Sequence, residues 1–257
     1  MGNNNQSNNR KISDIKSKYI LEKIFNNIQK LKLLKIIKYN KKIQKLLNLN
    51  SYDYKEYSII EIEIIPAENK SGKFINLIDN ADKIYYHIYF NNNTKKEIKE
   101  YYIKEKDKVK NINIRIDYQV KSFFKLFEHC GCIEIINFKT FYRNNILNMS
   151  DIFYNCKYLK EINFSNFNTN NVTNMKYMFY DCSSLKELNL INFNSNNVTY
   201  MRSMFSGCLS LKELNLNNFN TINVTDMRSM FYGCSEQFKN KIKAEYKNIK
   251  EEAFEIY

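Results

Sequence analysis

Two periodicities divide the chain. Between Ser58 and Ile116 three runs alternate apolar with polar residues: Ser58-Ile-Ile-Glu-Ile-Glu-Ile-Ile65, Lys83-Ile-Tyr-Tyr-His-Ile-Tyr-Phe90 and Val109-Lys-Asn-Ile-Asn-Ile-Arg-Ile116. A period of two with Ile and Tyr enrichment predicts strands, so residues 51–119 are expected to form a small β-rich module packed against the segment that begins at Val120. From Val120 the period changes, and the C-terminal half lies over itself without gaps at a shift of 26 residues. Cys156, Cys182, Cys208 and Cys234 form one column, Phe153, Phe179, Phe205 and Phe231 a second, and Met149, Met175, Met201 and Met227 a third. A worn first copy places Phe123, Leu126, Phe127 and Cys130 in the register of Met175, Met178, Phe179 and Cys182. The repeats therefore run over 120–235, in units of about 120–145, 146–171, 172–197 and 198–223 and a half unit ending at Cys234. A divergent first unit reads as a cap, because its outer side has no neighbour.

Within a unit, Leu185-Lys-Glu-Leu188-Asn-Leu190 has the L-x-x-L-x-L pattern of a short strand with its apolar residues inward. The other half, Val172 to Cys182, places apolar residues at i, i+3, i+4 and i+7 after Thr173, which predicts one or two helical turns with a threonine cap. A strand and a short helix per unit, stacked with parallel strands, give an α/β solenoid of right-handed curvature. The charged pattern of 236–257 is expected to be a helix capping the last unit.

The repeat written out, Asn-Val-Thr-x-Met-x-x-Met-Phe-x-x-Cys-x-Ser-Leu-Lys-x-Leu-x-Leu-x-x-Phe-Asn, resembles the BspA-type leucine-rich repeat of bacterial and protist proteins. That resemblance implies a leucine-rich-repeat solenoid that binds other proteins or serves surface adhesion, and it implies no catalysis.

Residues 1–14 read as a disordered polar tail and 15–50 as basic amphipathic helices. Ile20, Leu21, Ile24, Phe25 and Ile28 make an apolar stripe, followed by a second cluster around Leu34. Read plainly, this is a helical hairpin docked on its neighbour. The spacing also resembles an F-box, which implies a Skp-type adaptor held by these residues and a substrate receptor of a cullin ubiquitin ligase. Charge singles out the same segment: the chain carries 40 basic against 27 acidic residues, a net +13, and residues 1–50 hold twelve basic residues against Asp14 and Glu22. Nucleic acid or an acidic membrane surface is thus the rival partner, without a nucleic-acid reading motif to accompany it. Membrane contact is expected only with a lipid on Gly2, and Gln6 stands where the myristoylation motif takes Ser or Thr. With no signal peptide or transmembrane segment legible, an intracellular, cytoplasmic protein is expected. The Asn runs read as compositional bias.

No cofactor or metal is expected. Five of the six cysteines, Cys130 among them, belong to one repeat column, which predicts small buried residues stacked on their copies. Zinc sites need ligands converging on one point. His87 and His129 have no triad partners that spacing can justify. What remains as a candidate site is the solvent side of the strands, with ladders of Lys160, Lys186 and Lys212, of Glu161, Glu187 and Glu213, and of Asn163, Asn189 and Asn215. Their sameness points to recent duplication, a repetitive ligand, or recognition by edges and caps instead.

Overall fold

The computed structural model describes residues 40–47, 58–78, 80–164 and 166–256. The chain divides into two compact units, Met1–Tyr57 and Ser58–Tyr257. In the first, the described residues form one helix, α1 (Lys41–Leu46), whose Asn40 side chain accepts a hydrogen bond from the Ile43 amide at 3.1 Å and so satisfies an orphan donor of the first turn. The rest of the expected helical segment lies outside the described residues.

The described part of the second unit is mixed α/β, with many short strands and few helices. Its largest sheet is open and six-stranded, built from β1 (Ile60–Pro66), β3 (Tyr86–Phe90), β4 (Glu97–Ile98), β6 (Ile112–Ile116), β7 (Ile133–Thr140) and β8 (Glu161–Asn163). The strand order is β4-β3-β6-β1-β7-β8. β2 (Gly72–Lys73) pairs with β5 (Tyr102–Ile103) apart from it. The three alternating runs became β1, β3 and β6, and their period-two patterning buries Ile60, Ile62, Ile64, Ile112, Ile114 and Ile116. Expected packing of this module on the first repeat takes the form of strand pairing. β1 runs antiparallel to β7 with Ile62 opposite Phe138 and Ile64 opposite Ile136, and β7 runs parallel to β8, so one sheet crosses residue 119 unbroken. Further along, β9 (Glu187–Asn189) and β10 (Glu213–Asn215) pair in parallel, 26 residues apart.

The Val172 to Cys182 half is not helical, and the expected cap by Thr173 is absent: its hydroxyl donates to the Leu147 carbonyl, 3.3 Å away in the preceding repeat. Alternate amides do different work. Those of Met175, Tyr177, Phe179 and Asp181 donate to Tyr200, Arg202, Met204 and Ser206 of the next repeat at 2.8 to 2.9 Å. Those of Met178, Tyr180 and Cys182 close four-residue turns onto the carbonyls of Met175, Tyr177 and Phe179. Tyr177 and Asp181 have φ of 55° and 54°, a left-handed conformation that no α-helix interior contains. Successive turns thus reproduce the apolar spacing of a helix while sending half of their donors sideways. Left-handed residues of the repeats fall in two columns, Lys125, Asp151, Tyr177, Ser203 and Ser229 in one and His129, Asn155, Asp181, Gly207 and Gly233 in the other, the second mostly of residue types that accept this region. At Gly207 (φ 73°) a Cβ would also lie 1.9 Å from Asp181 Oδ1. Gly207→Ala is accordingly expected to cost about 1 kcal/mol or more in urea denaturation, and an unchanged midpoint would contradict the turn assignment.

Side chains repeat the sideways bonding. Thr169 Oγ1 donates to Asn194 O at 2.9 Å and accepts from the Asn194 amide, and Ser195 does the same with Asn220; both hydroxyl residues are 1% exposed. Asn197 and Asn223 amides reach back to the carbonyls of Asn170 and Asn196 at 2.6 Å, and Asn168, Asn194 and Asn220 close local turns onto the amide two residues on. The asparagines set aside as compositional bias therefore satisfy backbone groups that would otherwise lose a partner. Inside, Phe127, Phe153, Phe179, Phe205 and Phe231 stack face to face at 5.4 to 5.7 Å.

At the far end, α2 (Glu236–Glu245) buries Phe238 and Ile242. The Tyr246 hydroxyl accepts from the Leu216 amide and donates to the Leu214 carbonyl, standing where a further strand would pair with β10. Amides of Ser229 and Phe231 donate to Glu252 and Ala253, and Phe254 continues the phenylalanine stack at 5.3 Å from Phe231. The expected C-terminal helix is thus followed by a 3₁₀ turn (Glu251–Ala253) that takes the place of another repeat.

Candidate functional site

Strand and turn sides of the repeats each carry a cavity. On the strand side, Glu161, Glu187, Glu213, Asn163, Asn189 and Asn215 line a concavity of about 550 Å³ together with Lys241, Glu245 and Tyr246. Three-residue strands place the buried Ile162, Leu188 and Leu214 between each Glu and Asn, which is why those two columns face solvent together. Register puts Glu187 directly beside Glu213. Lys241 Nζ reaches Glu213 Oε2 at 2.5 Å, and that hydrogen bond raises the Lys241 pKa. Like charges in register cost a few tenths of a kcal/mol each, and Lys241 offsets that cost at Glu213. Lys160, Lys186 and Lys212 are exposed but lie beside this cavity and do not line it; Lys160 is paired with Glu134 at 2.6 Å. The adaptor-binding candidates Ile20, Leu21, Ile24, Phe25, Ile28 and Leu34 lie outside the described residues.

The turn side is not marked by any motif in the sequence. There a cavity of about 560 Å³ is lined by residues that include Tyr154, Tyr177, Tyr180, Tyr232, Arg202, Ser203, Ser206 and Ser229. Tyr154 and Tyr180 stack at 4.8 Å with planes 4° apart, and Tyr177 stands nearly perpendicular to both. Burial pushes the Tyr154 and Tyr180 hydroxyls up in pKa, and the Asp181 carboxylate adds to it. His129 packs edge-on against Tyr154, and its Nδ1 accepts from the Asn155 amide at 2.7 Å. A signal was nonetheless present in the repeat columns. Where the strand side keeps Lys, Glu and Asn from copy to copy, this side changes: Glu128, Tyr154, Tyr180, Ser206, Tyr232 in one column, Lys125, Asp151, Tyr177, Ser203, Ser229 in another.

The thiols are withdrawn from chemistry. All six cysteines are buried and free, and burial raises the pKa of each, to about 11 for Cys132 and about 12 for Cys234. Cys156, Cys182, Cys208 and Cys234 donate to the carbonyls of Phe127, Phe153, Phe179 and Phe205 at 3.0 to 3.3 Å. Cys130 points to the Glu128 carbonyl and not to its neighbour His129. His87 lies between Glu97 at 3.2 Å and Asp117 at 3.6 Å.

Residues 121–246, just under half of the chain, are similar to a family described as "Mycoplasma protein of unknown function, DUF285". No curated protein and no solved structure matches the chain. Among the described residues no helix is long and apolar enough to cross a membrane.

Proposed function

We propose that this chain is a non-enzymatic scaffold that binds another protein through a BspA-type leucine-rich-repeat solenoid. The observation that carries the reading is the 26-residue hydrogen-bond register between successive copies. It runs unbroken through the turns, from the Ser122–Asn148 bridge to Tyr200–Asp226, and recurs in the parallel strand pairs β7–β8 and β9–β10. A register of that kind buries one side of every copy and leaves two long regular surfaces, which is the arrangement repeat proteins use for extended contacts. Buried protonated thiols and histidines engaged by Asn155, Glu97 and Asp117 favour binding over nucleophilic chemistry.

Affinity capture from native lysate with the full chain, beside a variant lacking residues 1–50, tests this. Proteins retained by both are expected, and they define what the repeats hold. A Skp-type adaptor and a cullin retained by the full chain alone would assign the N-terminal segment a second contact of the F-box kind. Retention of nucleic acid in place of protein, lost steeply as salt rises, would overturn the scaffold reading.

A further inference from the structure

The turn side holds a break in its column of tyrosines, at Ser206. Tyr154 and Tyr180 occupy the same column one repeat apart, and their rings stack at 4.8 Å. The next place in that column is Ser206, 2% exposed, and the one after it is Tyr232, which lines the same cavity. Two such steps span about 10 Å, so a ring placed above Ser206 would meet Tyr180 and Tyr232 at about 5 Å each, inside the 4.5 to 7 Å range that aromatic pairs prefer. Tyr177, perpendicular to Tyr180 at 5.6 Å, closes one side. Ser203 and Ser229 lie low beside Ser206, at 6% and 5% exposure, and Arg202 stands at the rim.

We propose that this slot receives an aromatic side chain of a partner protein and is the anchor point of the interface. Tyr and Arg, which line this cavity, are among the residue types on which binding energy concentrates in protein interfaces. Charge distinguishes the partner from a nucleic acid strand. The lining carries Lys125 and Arg202 against Glu128 and Asp151, with Lys125 already paired to Glu128 at 2.7 Å. A cavity so balanced offers a polyanion no track, whereas nucleobase stacking sites depend on one. The inference rests on the protein-binding reading above and places its centre on the variable side of the repeats, away from the uniform strand ladders.

The probe is N-acetyl-tryptophanamide, titrated into the isotope-labelled full chain and followed by amide and side-chain NMR shifts. Saturable shifts at Tyr180, Ser206 and Tyr232 are expected. Ser206→Tyr fills the gap with the residue its column carries at 154, 180 and 232, and should weaken probe binding at least about tenfold. Glu105→Ala, an exposed position between β5 and β6, should leave binding unchanged. No saturable shift at these residues, or tighter binding of adenosine monophosphate than of the amide, overturns the slot. A shift appearing only after Ile256→Ala overturns it too, since the chain's own Ile256, which lines the cavity, would then compete for the place. A protein partner held equally by Ser206→Tyr and the parent chain would leave the scaffold reading standing while removing the slot, so the two failures are distinguishable.

Discussion

Raising the pH from about 8 to about 10 should destabilise the folded chain by several kcal/mol, on the order of 1 kcal/mol for each fully buried thiol. Burial pushes the thiols of Cys130, Cys156, Cys182 and Cys208 above their ordinary value of 9.0, and holds Cys132 at about 11 and Cys234 at about 12. The folded chain therefore keeps protons that the unfolded chain releases near pH 9. Stability is complete below that pH and is lost as pH climbs toward the folded values, over roughly two units for Cys132 and three for Cys234. Tyr86, also raised by burial, adds to the loss only above its ordinary value of 10.0. Urea denaturation at stepped pH measures this. A Cys182→Ala/Cys208→Ala variant should start less stable but show a shallower fall with pH, and an equal fall in both proteins would mean that the thiol column is not its source.

Phe205→Ala is expected to cost about 3 to 5 kcal/mol. Its ring is fully buried and stacks on Phe179 at 5.5 Å and on Phe231 at 5.4 Å, so truncation opens a cavity between two copies of the repeat. Neighbouring rings are held in register by backbone bonds on both sides, from Phe179 N to Met204 O and from Phe205 N to Met230 O, which limits how far the stack can close on the void. Urea denaturation of the full chain reads the loss directly. A cost below about 1 kcal/mol would mean that the copies do not depend on one another's rings.

Much of this arrangement was legible. Columns that never change, Phe153 to Phe231 and Cys156 to Cys234, had to be inward, because a shared environment in every copy is what buries the same residue each time. Alternation over 58–65, 83–90 and 109–116 marked the strands for the same reason. The turn half reads as helix in the sequence because apolar residues at i, i+3, i+4 and i+7 satisfy both geometries, and only the destination of the amides separates them. A clue was available in the Asp181, Gly207 and Gly233 column, where small or αL-tolerant residues share one place. Asparagine was the second blind spot: a residue abundant for compositional reasons can still carry the bonds between copies, as Asn197 and Asn223 do. The strand-side ladders were legible as exposed positions, and Glu161, Glu187 and Glu213 do line a cavity, but the tyrosine slot emerges only when the columns that differ are weighed above those that agree.

Hydrogen exchange of the full chain, alone and with the partner it captures, tests the central claim most directly. The account predicts slowed exchange in the turn amides between Tyr177 and Tyr232, centred on Ser206, because a partner seated on that side restrains the copies it spans. Protection confined to residues 1–57, with the repeats exchanging as they do alone, would contradict it.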